Sequence, residues 1–166
     1  LAEFWEDLCA IVESGGRHYT GAITVEELEG VSEIAPRKGY TVVDGQQRLT
    51  TVAILFSALK LESNPFLIKA EGRVQYLFSY GAHNADLQFL CHILSGSESG
   101  APENSHQRNL RNALEFFRSK MGCLDVNQRR KVADAVMLHM TFDFRILGSE
   151  YSAGEVFETM NNRGKP

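Results

Sequence analysis

The strongest constraint in this sequence is an abrupt change of backbone type at Asp44-Gly45. Tyr40-Thr-Val-Val43 is β-prone, rich in β-branched and aromatic residues. Asp44-Gly45 breaks that run. From Gln46 to Leu61 the pattern is helical, with Leu49, Val52, Ala53, Leu55, Phe56 and Leu59 on one broad face. A strand that hands over to a helix in two residues leaves the first N–H groups of the helix without intrahelical partners. Those groups and the helix dipole together favour an anion at that end. Gly45 lets the backbone take a positive φ or approach a neighbour closely. Arg48 can fork onto phosphate oxygens, Gln46 and Gln47 supply amides, and Asp44 can hold Mg²⁺ or a sugar hydroxyl. The turn is not a P-loop, because G-x-x-x-x-G-K-[ST] is absent. On the residues alone, an Asp-Gly turn followed by a capped helix with a solvated arginine explains the pattern equally well.

Elsewhere the chain alternates short β-prone runs with amphipathic helices. Phe4, Leu8, Ile11 and Val12 mark an amphipathic helix stopped by Gly15-Gly16. His18 to Val25 reads as a strand, and Glu26 to Gly39, with Pro36, as a loop or ragged hairpin connection. Asn64-Pro65 marks a turn, and Phe66 to Phe78 holds two short apolar patches that suit strands. Helices are expected over Ala85–Leu94 and Ser105–Met121, separated by a Gly/Ser-rich loop from Ser95 to Pro102. Asp125 caps a further helix with Val132, Ala133, Val136 and Met140 inward. Phe116-Phe117 and the Met137/Met140 pair have core spacing. Thr141 to Leu147 alternates Phe142, Phe144 and Ile146 with Thr141, Asp143 and Arg145, the pattern of a half-buried strand. Ser152-Ala-Gly-Glu155 is a capping-box pattern that opens a last short helix through Val156, Phe157 and Met160. The expected class is α+β: a small mixed α/β head over residues 1–61, a mostly helical body over 62–150 and a closing motif over 151–166. All belong to one domain spanning 1–166.

Composition excludes several alternatives. The chain has 166 residues and is 43% hydrophobic, too apolar for intrinsic disorder. No stretch approaches the roughly 18 apolar residues of a membrane span. With 17 Lys+Arg against 21 Asp+Glu the net charge is −4, which argues against a broad nucleic-acid face. Arg129-Arg130-Lys131 is a short basic run that reads as a solvated helix face. Touching DNA phosphates is its alternative role, extended by Arg108 and Arg111. Cys9, Cys91 and Cys123 are scattered and read as buried thiols of a reducing cytoplasm. His18, His83, His92, His106 and His139 have no metal-ligand spacing and read as surface or structural residues.

Residues 42–51, VVDGQQRLTT, resemble the signature of the N-terminal domain of GmrSD-type restriction endonucleases, a family related to the ParB nucleotide-binding fold. Phe157-Glu-Thr-Met-Asn161-Asn162-Arg163-Gly164 resembles that family's second signature, Phe-Glu-x-x-Asn-x-Arg-Gly. Phe4 to Thr24, with Gly21-Ala22-Ile23, resembles the segment preceding the first signature. The resemblance implies a ParB-like head and a regulatory domain that binds and hydrolyses a nucleoside triphosphate with Mg²⁺. That domain would control an associated HNH-type nuclease domain or subunit acting on modified phage DNA in a prokaryotic cytoplasm. DNA would be met through the full-length protein or a partner, and no membrane is involved. The implied nucleotide site is Asp44, Gly45, Gln46, Gln47, Arg48, Thr50 and Thr51, with Asn161, Arg163 and Gly164 as a second wall. Asp44, Gln47 and Arg48 are the implied catalytic residues, and Asp44 the implied Mg²⁺ ligand. An Asp44–Arg163 ion pair is a purely structural alternative. The family's opening motif with Pro, Gln-Arg and Trp would lie before Leu1, so a fragment truncated at both ends is expected. A nucleotide-dependent switch or DNA-sensing module without turnover is the second reading, and a direct ParB-like nuclease the third.

Overall fold

The computed structural model describes residues 1–31, 38–62, 64–70, 73–76, 85–95 and 100–148. The architecture is α+β and divides into two compact units. One comprises Leu1–Gly16 and Thr50–His139. The other comprises Arg17–Leu49 and, among the described residues, 140–148.

The first unit is mainly helical. Helix α1 (Ala2–Ser14) ends where Gly15 takes a φ of 68° and returns its N–H to the Ile11 carbonyl, the left-handed stop that a glycine permits. Helix α2 (Gln46–Leu59) contributes Thr50 onward to this unit and buries Ala53, Ile54, Leu55, Phe56, Ala58 and Leu59. Strands β3 (Leu67–Ala70) and β4 (Arg73–Tyr76) form an antiparallel pair, as the two short apolar patches suggested. Helices α3 (Ala85–Ser95) and α4 (Ser105–Met121) pack together. Phe117 of α4 is fully buried and meets the Phe4 ring edge-on at 6.1 Å between centroids.

The start of α4 is fixed by a polar network. Asn104 caps it by accepting the Gln107 N–H at 2.8 Å. The Gln107 side chain is itself buried. Its oxygen accepts the Glu103 N–H and its nitrogen donates to Asp86 Oδ1 at 2.8 Å. Asn104 Nδ2 donates to the same oxygen, and these bonds hold the Asp86 carboxyl below the usual carboxylate range. Helix α5 (Val126–Asp134) carries the expected Asp125 cap, closed as a full capping box by Gln128.

A single π turn, Ala135–His139, extends α5 and was not expected from the sequence. It changes the angular step of the chain, so an α-helical count no longer places side chains. Val136 remains buried, but Met137 is 56% exposed. The core position assigned to Met137 is corrected accordingly. Cys123 lies exposed in the turn after α4, correcting its reading as buried. Cys9 and Cys91 are half-buried, and burial pushes both thiols up.

The second unit is a three-stranded sheet ordered β2-β1-β5. Strand β1 (His18–Val31) pairs antiparallel with β2 (Lys38–Asp44) and parallel with β5 (Met140–Ile146). Of the two readings of Glu26–Gly39, the loop is overturned at both ends and the ragged hairpin is the one observed, with β1 and β2 pairing antiparallel through an irregular register. β1 runs on to Val31, where it faces Lys38, because Glu26 and Glu27 find ladder partners in Thr41 and Tyr40. Pairing across the sheet outweighs the weak β-propensity of the glutamates. Three irregularities interrupt the ladders, one of them between Glu27 and Val31, which face Tyr40 and Lys38. Thr24 and Val25 face Asp44 and Val42, so Val43 is the extra residue of β2. Tyr19 and Ala22 face Thr141 and Asp143, so β1 carries an extra residue across Thr20-Gly21. Ile23, Thr24, Val25 and Val43 are buried. β5 is present as expected but is not half-buried in the expected sense: Phe142, Phe144 and Ile146 are each about half-exposed (48%, 51% and 51%). The closing motif, including the expected helix from Ser152, lies outside the described residues.

Candidate functional site

The turn after β2 is built on backbone geometry that only glycine fits. Gly45 has a φ of 96°, and a Cβ there would stand 3.0 Å from Ile23 Cγ1, 3.2 Å from Ile23 Cα and 3.3 Å from the Ala22 carbonyl oxygen. The absent side chain lets the start of α2 rest directly on the backbone of β1. The Gly45 carbonyl then accepts the Leu49 N–H at 3.1 Å, the first helical bond. Gln46, Gln47 and Arg48 fill the first turn.

Their side chains take different roles. Gln46 Nε2 donates to the Val42 carbonyl at 2.8 Å, tying the helix start back to β2. Gln47 is exposed. Arg48 folds back across the turn: Nη1 donates to the Ala22 carbonyl at 2.9 Å and lies 3.7 Å from Asp44 Oδ2. The flat end of Arg48 also rests against Gly21, whose φ is 101°. The Arg48 and Asp44 side chains remain 47% and 40% exposed, so neither is sealed into the core.

An arginine in the first turn opposes the positive end of the helix dipole, and no acidic residue occupies that turn. Asp44, one helical step before Arg48, offsets the repulsion. The placement breaks a local rule for helices, which is characteristic of residues kept for a purpose other than stability.

The sequence-predicted residues are thus partly assembled. Asp44, Gly45, Gln46, Gln47 and Arg48 lie on one turn. Thr50 and Thr51 continue α2, are half-buried and belong to the helical unit. Asn161, Arg163 and Gly164 lie outside the described residues, so the carboxylate of Asp44 is described with Arg48 as its cationic neighbour. In the basic run, the Arg129 guanidinium donates to the Met121 and Leu124 carbonyls, closing the end of α4, whereas Arg130 and Lys131 are exposed. No group of three His, Cys, Asp or Glu suited to a metal ion occurs among the described residues. Sequence reasoning missed two participants, Gly21 and Ala22. A glycine inside a strand pattern is a signal of a bulge or close backbone approach, and here it is both.

The fold and the turn define a class: an α+β domain in which a strand passes into a helix through Asp-Gly, with an arginine drawn back over the junction. Residues 1–166 match the profile of the GmrSD restriction endonuclease, N-terminal domain, and the chain belongs to that family. It is therefore a domain of a restriction system. No curated protein matches it. No described helix is long and apolar enough to cross a membrane.

Proposed function

We propose that the turn from Asp44 to Arg48 is the phosphate-binding part of a nucleoside triphosphate site. In this reading the domain hydrolyses the triphosphate and thereby governs a nuclease that cuts modified phage DNA. The observation that carries this is the Arg48 guanidinium, half-exposed and held at the start of α2 by the Ala22 carbonyl and Asp44. Held there, it faces an incoming anion together with the first N–H groups of the helix. An anion would also remove the electrostatic conflict between Arg48 and the helix dipole.

The donor set fits Mg²⁺ only as an ion that arrives with the nucleotide. Magnesium at such sites takes one or two carboxylates, with phosphate oxygens and water completing its shell. Asp44 meets that need, and the described residues offer no cluster for a resident ion. Bound there, the ion would neutralise phosphate charge. Arg48 would bind and orient the phosphates and stabilise charge as it develops. Gln47, exposed beside it, is the residue on this turn left to orient a water. Thr50 and Thr51, and Asn161, Arg163 and Gly164 of the second signature, complete the proposed binding set. The nuclease partner, the DNA and the prokaryotic cytoplasm belong to the same reading.

The test is calorimetric titration of ATP, GTP and CTP, each with Mg²⁺, into the chain and into Arg48→Ala. Binding by the parent that falls at least roughly ten-fold in the variant is the expected result, the size of one charge-assisted hydrogen bond. Phosphate release that Asp44→Ala abolishes then establishes turnover. Binding without release makes the nucleotide a conformational signal. Equal binding by parent and variant removes the phosphate from this turn.

A further inference from the structure

Arg48 is restrained by two consecutive residues of β1, which lie 27 and 26 positions before it. A Cβ on Gly21 would fall 3.2 Å from Arg48 Nη2 and 3.3 Å from both Cζ and Nε. Three neighbouring atoms of a planar group can be nearly equidistant from one point only if that point stands over the plane. The missing methyl would therefore lie on the face of the guanidinium. The next residue, Ala22, accepts from Nη1 at 2.9 Å through its carbonyl. The group thus has the Gly21 backbone against its face and the Ala22 carbonyl at one of its nitrogens.

The backbone makes this possible through the extra residue of β1. Between Tyr19 and Ala22 the strand gains a residue on β5, and Gly21 takes its positive φ within that irregularity. Such bulges turn a strand locally and re-aim what it presents. Here the result is a bare patch of backbone followed at once by a carbonyl directed at Arg48.

We propose that Gly21 is a positioning residue: its bare backbone is the seat on which the Arg48 guanidinium lies, and it sets the direction of the remaining Arg48 donors. The consequence for ligand binding rests on the proposed function, whereas the seat itself does not. An alanine at this position would push the guanidinium back by a few tenths of an ångström, because contacts of 3.2–3.3 Å are tighter than a methyl group ordinarily makes, and it would strain the backbone at a φ of 101° as well.

The experiment has a ligand-free arm and a binding arm. In the ligand-free arm, the Arg48 Nε and Nη protons of the full chain are observed by NMR, assigned by their loss in Arg48→Ala. Slow rotation about the Cζ–Nε bond, with separate Nη signals, is expected. A freely rotating guanidinium overturns the seat. In the binding arm, ATP with Mg²⁺ is titrated into Gly21→Ala, Arg48→Ala and the double variant. Gly21→Ala is expected to shift the Arg48 Nε–H signal and weaken binding roughly ten-fold, the scale of one misdirected charge-assisted hydrogen bond. In the double variant it should add nothing to the loss from Arg48→Ala. An undiminished additional loss there assigns the effect to backbone strain and overturns the proposal.

Arg48→Lys keeps the charge without a flat face and serves if Gly21→Ala does not fold. Full affinity in that variant overturns the proposal, and a loss close to that of Arg48→Ala supports it. A parent that binds no ATP but shows a hindered guanidinium refutes the nucleotide reading and leaves the seat standing.

Discussion

Phe117 and Phe144 are the same side chain under opposite conditions. Phe117, in the helical unit, is fully buried and touches the rings of Phe4 and Phe116. Phe144, in the sheet unit, is 51% exposed and touches Tyr40. The difference extends to the whole of each unit. The helical unit has a continuous core through α2, α3 and α4, and its helix starts at Asn104 and Asp125 are capped by side chains. The sheet unit has four buried core side chains among its described residues, Ile23, Thr24, Val25 and Val43, and β5 is exposed along almost its full length. Packing carries the first unit. Backbone pairing, bulges and positive-φ glycines carry the second, and those features bring Asp44 and Arg48 together. Among the described residues, the turn from Asp44 to Arg48 lies in the unit with fewer buried side chains, in line with the tendency of ligand-binding segments to come from the less stable parts of a fold.

Truncating both rings separates the two units most strongly. Phe117→Ala should cost about 3–5 kcal/mol, the usual range for emptying a core aromatic site. Phe144→Ala should cost under roughly half of that, because half the ring is already in water. Native-state hydrogen exchange at the amides of α4 and of β1 reads each unit separately, which a single melting curve does not. Similar losses at both positions would show that β5 is better covered than its exposure indicates.

How much of this could be read from the sequence divides along the same line. In the helical unit, apolar periodicity placed α4 at its observed limits, and Asp125 signalled α5 as its cap, because caps and apolar spacing are local properties. The π turn was not legible: nothing in Ala135–His139 distinguishes it from a continuing α-helix, and so Met137 was placed in the core. In the sheet unit, the Asp44-Gly45 junction was legible and its partners were not. Arg48 reaches a carbonyl 26 residues earlier, through a bulge that depends on β5, more than 90 residues later still. Such contacts are set by tertiary pairing, which leaves no periodic trace. The family was legible from the two sequence patterns, and the profile match bears the family out. The physical reason for Gly21 required the structure.

In the helical unit, the side-chain hydrogen bonds of the cap network at Asn104 should contribute measurably to stability. Asn104→Ala should cost about 0.5–2 kcal/mol as a lost N-cap. It should also change the pH dependence. The hydrogen bonds from Asn104, and then Gln107, lower the folded-state pKa of Asp86 below its ordinary value. The unfolded chain therefore binds the proton more readily, so this stabilisation is complete above the ordinary carboxylate pKa, near 4. It is lost as pH falls through the lowered folded value. Denaturant midpoints measured between pH 7 and pH 2 should show a shallower acid loss in Asn104→Ala than in the parent, with Gln107 maintaining the remainder. An unchanged slope would remove Asp86 as a source of acid sensitivity.

The smallest effect tests whether side chains help to hold the sheet unit at all. Tyr40 of β2 and Phe144 of β5 belong to strands on opposite sides of β1, yet their rings meet edge-on at 5.7 Å between centroids. No backbone hydrogen bond links these two strands directly, since each pairs with β1. If pairing to β1 alone holds the sheet, the two rings should contribute independently. If the rings clasp β1 from both sides, a double-mutant cycle of Tyr40→Ala and Phe144→Ala should give a coupling of about 0.5–1.5 kcal/mol, the usual value for an edge-to-face pair. We expect the lower end of that range, because exposure to water weakens the contact and leaves both rings room to move. Exchange at the β1 amides between Ala22 and Val25 is the appropriate readout, since that stretch pairs with both strands and includes the carbonyl that holds Arg48. A coupling near zero would leave backbone pairing as the sole link across the sheet. It would also make the geometry around Arg48 depend on the bulge and the two positive-φ glycines rather than on aromatic packing above them.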